Sequence, residues 1–178
     1  MPIIGSDIVK RYSVAAATGD SAAGTAATSF GDQVSATAIT DDTFGNIFPD
    51  ITGDEALAGV VKYRCIFVLN SHATLTLSNA DVSIQSQITS GSTIAIAVDG
   101  TAVSAKGSAS PQAATIANEN TAPSGASAFG LGPIALGSLA PGQVKAVWIR
   151  QTTPSGATPP SPNGEDAFVL LVDGDTLP

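Results

Sequence analysis

The residues of this chain that could do chemistry are few and scattered. His72 is the only histidine and Cys65 the only cysteine among 178 residues. A nucleophilic triad needs a base beside the nucleophile and a third group that orients the base. His72 instead falls in a predicted turn, Asn70-Ser71-His72-Ala73, and no Gly-x-Ser-x-Gly elbow accompanies it. It is expected to be a solvated turn residue whose replacement by alanine changes neither folding nor function. One Cys and one His cannot supply the three or four N/S ligands of a zinc site. Asp41, Asp42, Asp50, Asp54 and Glu55 gather within fifteen positions, and hard cations take several carboxylate oxygens, but the spacing matches no EF-hand. Caps and turns account for these acids, with a weakly bound structural ion as the alternative.

Other chemistry is equally thin. Glu119, Glu165 and Asp166 could serve glycoside hydrolysis only at a separation that the sequence does not set. The glycine-rich SGASAFGLG near residue 130 lacks the strand, Lys and helix of a phosphate loop. Trp148 and Tyr63 could stack a sugar, but Trp148 alternates with Val144 and Ala146 in an apolar strand and reads as core. No catalytic residue, metal ligand or cofactor site is assigned, and a non-enzymatic role is expected.

The elements that would position these groups are strands. In VVKYRCIFVLN, Val61, Tyr63, Cys65, Phe67 and Leu69 share one face while Lys62 and Arg64 begin the other, the two-residue period of a half-buried strand. Cys65 is then a buried small hydrophobe. Leu75 and Leu77 share a face, as do Val82 and Ile84, and the change of parity near Asn79-Ala80 predicts a bulge or bend. Thr93 to Val98 alternates, and Asp99-Gly100 is a hairpin signal. Ile134 and Leu136 mark a short strand, Pro141-Gly142 turns into VKAVWIR, and Asn163-Gly164 leads to AFVLLV, whose unbroken apolar run predicts burial on both faces. About seven to nine strands at this spacing predict an all-β fold, an Ig-like or jelly-roll-type β-sandwich spanning residues 41–178. Residues 107–130 and 152–163 read as surface loops.

Two segments stand apart. Residues 1–40, with AAATGDSAAGTAATSFGD at their centre, are expected to form an extended Ala/Gly-rich N-terminal arm that is ordered only across a neighbour, anchored by Ile3, Ile4, Ile8, Val9 and Tyr12. In ITDDTFGNIFPDI, Asp41 or Asp42 could cap one short helical turn that ends before Pro49 and carries Phe44, Ile47 and Phe48 on one side. Those three side chains would plug the sandwich or dock on a partner. All eight apolar residues are candidate partner contacts.

Composition narrows the partners. A net charge of −8 with 12% charged residues disfavours nucleic acid and anionic membrane surfaces. No apolar run reaches transmembrane or signal-peptide length, and a single cysteine allows no internal disulfide, so folding in a reducing cytoplasm is expected. Few charges on a 43% hydrophobic chain suggest a surface covered by copies of itself or by a partner.

The phrases YRCIFVLNSHATLTLSNADVSI and LGSLAPGQVKAVWIR resemble immunoglobulin-like modules of bacterial and phage surface proteins. Together with ITDDTFGNIFPDITGDEALAGVV, IANENTAP and RQTTP, they resemble small virion structural proteins encoded among the head and tail genes of tailed bacteriophages, over about residues 39–178. The resemblance implies a particle component, and specifically a capsid decoration or cement protein. Such proteins bind the major capsid protein on the outside of the shell in many copies, usually as trimers. A tail or baseplate protein, or an Ig-like adhesion or carbohydrate-binding module, would share most of these features. The arm reading carries its own expectation, that deleting Met1 to Asp32 leaves a folded sandwich that attaches weakly to its particle.

Overall fold

The computed structural model describes residues 2–16, 20–43, 45–88, 91–158 and 167–176. In chain order the strands are β1 (Ile8–Val14), β2 (Gly31–Ala38), β3 (Val60–Asn70), β4 (Leu77–Ile88), β5 (Thr93–Val98), β6 (Ser104–Ala105), β7 (Ala113–Thr115), β8 (Ile134–Leu139), β9 (Gln143–Thr153) and β10 (Ala167–Thr176). One sheet has the order β5-β9-β3-β1-β2-β7, with β6 also paired to β9, and the other has the order β10-β4-β8. The fold is an all-β sandwich.

Strand β3 is the centre of the larger sheet. It pairs antiparallel with β9 from Val60↔Thr153 to Leu69↔Val144, and with β1 from Ile8↔Asn70 to Tyr12↔Ile66. A strand flanked on both sides and covered on both faces has no solvent side. Lys62 and Arg64, whose charges in the alternating pattern predict an exposed face, are accordingly 2% and 3% exposed.

Two cores lie on the two faces of this sheet. Between the sheets, Ile66, Val68, Ile96, Val147 and Ile149 meet Leu77, Val82, Leu136 and Leu139. On the far side, Cys65, Phe67, Leu69, Ala146 and Trp148 pack with Val34, Ala113 and Ile116. Each fully buried large apolar side chain contributes about 1.5–3 kcal/mol. The segment predicted as a surface loop at 107–130 in part closes this second core, with Gln112, Ala113 and Ile116 buried. Its small residues suit it to lie flat against a sheet.

The N-terminal forty residues do not form an arm outside the sandwich. β1 and β2 are inner strands of the larger sheet, and β1 lies between β3 and β2. The Ala/Gly content that suggests an arm instead permits close approach between backbones. A side chain at Gly31, which has φ +96°, would meet the Ala114 carbonyl oxygen 1.8 Å from its Cβ. At Gly24 a Cβ would lie 2.7 Å from Ser35 and 2.9 Å from Tyr12. Arg11 and Lys106 both pair with Asp20, the latter at 2.6 Å, tying this segment to the 106–112 region.

The expected helical turn before Pro49 is absent from the described residues of that stretch. The helix, α1, is Gly53–Ala58, where the Thr52 hydroxyl accepts from the Glu55 N–H and the Glu55 carboxylate accepts from the Thr52 N–H. That reciprocal cap is the Thr-x-x-Glu pattern of TGDE. The predicted bulge in β4 is present. Asn79 has φ +50° and the pairing with β8 shifts between Leu77 and Ala80. Asp99-Gly100 makes no tight hairpin, because β5 pairs with β9.

Candidate interaction surface

Most of the apolar residues expected to reach a partner are used within the chain. Ile47 and Phe48 are 8% and 9% exposed and plug the space between the sheets. Ile3, Ile8 and Tyr12 pack half-buried against the same core, and the Tyr12 hydroxyl donates to the Asn46 carbonyl at 2.8 Å. Val9 packs against the second core, Ile4 is 54% exposed, and Phe44 lies outside the described residues.

The apolar surface that is open lies elsewhere, on the smaller sheet. β10 alternates exposed and half-buried along its whole length. Phe168, Leu170 and Val172 face the inter-sheet core, while Val169 and Leu171 point outward. Ile88, opposite Ala167 in register, continues the outward strip and is 66% exposed. The run AFVLLV is therefore half-buried on one face and exposed on the other. Sequence alone missed this strip, since a continuous apolar run hides which of its residues face out.

Glu119, one of the acids considered for hydrolysis, pairs with two buried cations. Lys62 Nζ lies 2.7 Å from Glu55 and 3.4 Å from Glu119, and Arg64 pairs with Glu119. Arg64 also lies over the Phe30 ring at 5.1 Å and the Phe48 ring at 5.8 Å. Two nearly buried cations are thus matched by two carboxylates at one end of the sandwich. Glu165 and Asp166 lie outside the described residues, as does the Asn163-Gly164 turn.

Among the described residues Asp99 is the most enclosed acid, 2% exposed. Its carboxylate accepts from Trp148 Nε1 at 2.8 Å, the Thr101 N–H at 2.8 Å and the Ala114 N–H at 3.0 Å. Burial alone would push its pKa up, but these donors outweigh it and hold the group below its ordinary value. Trp148 is fully buried in this bond, as a core residue and not a sugar platform. Tyr63 stacks edge-on with Phe129 at 5.6 Å, and Arg150 covers that ring at 4.9 Å. Cys65 is fully buried, and burial pushes its thiol well above the ordinary range. Among the described residues no three His, Cys, Asp or Glu gather as a metal site, and no helix is long and apolar enough to cross a membrane.

No family model, curated protein or solved structure matches the chain. The reading of its role rests on its own residues.

His72 corrects one expectation. Its Nδ1 accepts the Leu75 N–H at 2.9 Å and the Thr74 N–H at 3.1 Å, so the side chain organises the turn between β3 and β4. His72→Ala is expected to cost about 1 kcal/mol in denaturant unfolding. An unchanged midpoint would show that the turn holds without it.

The acids give a pH dependence with a definite sign. Burial raises Asp20, Asp99 and Glu119, but their hydrogen-bond and cationic partners prevail, and Glu55 is lowered chiefly by its bond from Lys62. All four have folded pKa values below the unfolded ones, so their contribution is complete above the unfolded values of about 4 and disappears as pH falls through the folded ones. Unfolding free energy should be nearly flat from about pH 7 to 5 and drop steeply below about pH 4. Stability that rises on acidification would contradict these assignments.

Proposed function

We propose that this chain is a structural, non-enzymatic virion protein that binds the major capsid protein on the outside of a phage capsid and cements neighbouring subunits, in company with copies of itself as a trimer. The observation that carries the reading is the outward apolar strip of Ile88, Val169 and Leu171 on an edge of the smaller sheet. In a chain with only 12% charged residues, a strip of this kind suits protein contact better than free solvent. The major capsid protein is the partner that the resemblance of residues 39–178 to phage virion proteins implies. A sandwich whose buried Lys62, Arg64 and Asp99 are all engaged in structural bonds suits a load-bearing contact. The glycan-binding alternative is weaker, because Phe129, the aromatic of the long 107–130 segment, is occupied by Tyr63 and Arg150.

The double substitution V169K/L171K tests the contact. Both side chains are exposed, so unfolding free energy should change by less than about 1 kcal/mol. Occupancy on particles in a co-purification assay should fall at least tenfold. Full occupancy by the double variant would remove this face from the contact.

A further inference from the structure

Between the sheets, at the end where β9 finishes, the packing leaves a cavity of about 860 Å³ that opens to solvent. Sites for small molecules typically measure about 300–1,000 Å³ and combine apolar walls with a few placed polar groups. Ile66, Ile94 and Ile149 form one wall, and Phe168 and Leu170 of β10 form part of another. All five also belong to the inter-sheet core, so the cavity has an apolar lining among the described residues.

Gln151 lines the same cavity. It is 7% exposed, and its Oε1 has no hydrogen-bond partner among the described residues. A buried amide oxygen left unmatched is costly, and in native proteins such a group calls for a specific explanation. The residue stands opposite Lys62 in register, but that ammonium is already held by Glu55 and Glu119. Asp41, Asp42, Asp50 and Lys10 also line the cavity, with Asp41 3.5 Å from the Lys10 ammonium. Three carboxylates against one ammonium give these lining residues a net negative charge.

We propose that this cavity binds an amphiphile with an apolar chain and a cationic, hydrogen-bond-donating head, of the primary alkylammonium class. The chain lies among Ile66, Ile94, Ile149 and Leu170, an ammonium N–H donates to Gln151 Oε1, and the net negative charge of the cavity lining favours the positive head over an alkyl carboxylate of equal length. Ile88 and Val169 of the exposed strip also line this cavity, but the inference does not need the virion reading.

Calorimetric titration of the full chain with dodecylammonium chloride and with sodium dodecanoate, each below its micelle concentration, tests it. Dodecylammonium should bind saturably at one site, and dodecanoate at least tenfold more weakly. Gln151→Leu should weaken dodecylammonium binding about fivefold. Ala157→Trp, which places a ring into the opening from the lining segment at 157–158, should abolish it while leaving the melting temperature near that of the parent. The second variant keeps the test decisive if the first fails to fold. No saturable heat with dodecylammonium, equal or tighter binding of dodecanoate, or full binding by Ala157→Trp would each overturn the proposal.

Discussion

Deleting Met1 to Asp32 is expected to give a chain that does not fold cooperatively, the reverse of what an N-terminal arm would predict. The deletion removes β1, which holds β3 from Ile8↔Asn70 to Tyr12↔Ile66 and also pairs with β2. The pairing edge of β3, a strand buried along nearly its whole length, would be left open, and β2 would lose the neighbour that joins it to the sheet. Ile3, Ile8 and Tyr12 would be lost from the inter-sheet core and Val9 and Val14 from the larger sheet. At about 1.5–3 kcal/mol for each large apolar side chain fully buried, and less for those half-buried, the sum rivals the about 5–15 kcal/mol that holds a typical domain. Far-ultraviolet circular dichroism with thermal melting checks the prediction. A truncated chain that melts cooperatively near the parent temperature would show that β1 is dispensable.

Asp99→Ala is the point substitution expected to do most harm. It strands three donors at once, the buried Trp148 indole N–H and the part-buried backbone N–H groups of Thr101 and Ala114. Each bond to a charged acceptor is worth about 1.5–3 kcal/mol and is costly to leave unmade, so a loss of at least about 3 kcal/mol is expected in denaturant unfolding. Asp99→Asn keeps the shape and one strong acceptor and should lose less, about 1–2 kcal/mol. Because the Asp99 pKa is depressed by folding, the asparagine variant should also show a shallower decline of stability below about pH 4. Equal stability of parent and Asp99→Ala would mean that Trp148 finds another acceptor.

The strands were legible because their patterns are local. The alternation of Thr93 to Val98, the parity change at Asn79-Ala80 and the Pro141-Gly142 turn all match what the chain does. Cys65 and Trp148 fall in the core for the reason their neighbours suggest. What the pattern could not reveal is how many faces of a strand are covered, since that depends on distant segments. Lys62 and Arg64 look like the start of a solvent face, yet Glu55 and Glu119 arrive from elsewhere to neutralise them inside. The same ambiguity runs the other way in β10, where Val169 and Leu171 look buried and are open. Residues 8–38 were the largest miss. Alanine, serine and glycine carry little hydrophobic signal, but they fit strands that are closely flanked by other backbone, as at Gly24 and Gly31. Asp99 was hidden because an Asp-Gly pair reads as a hairpin, and nothing local announces that its carboxylate turns inward to an indole 49 positions away.

The most direct test of the central claim is a side-chain-resolution cryo-electron microscopy reconstruction of a purified particle that carries this chain. The account predicts many symmetry-related copies on the outer shell, with Ile88, Val169 and Leu171 buried against the capsid protein. A particle whose copies leave that strip facing solvent, or a shell without the chain, would contradict it.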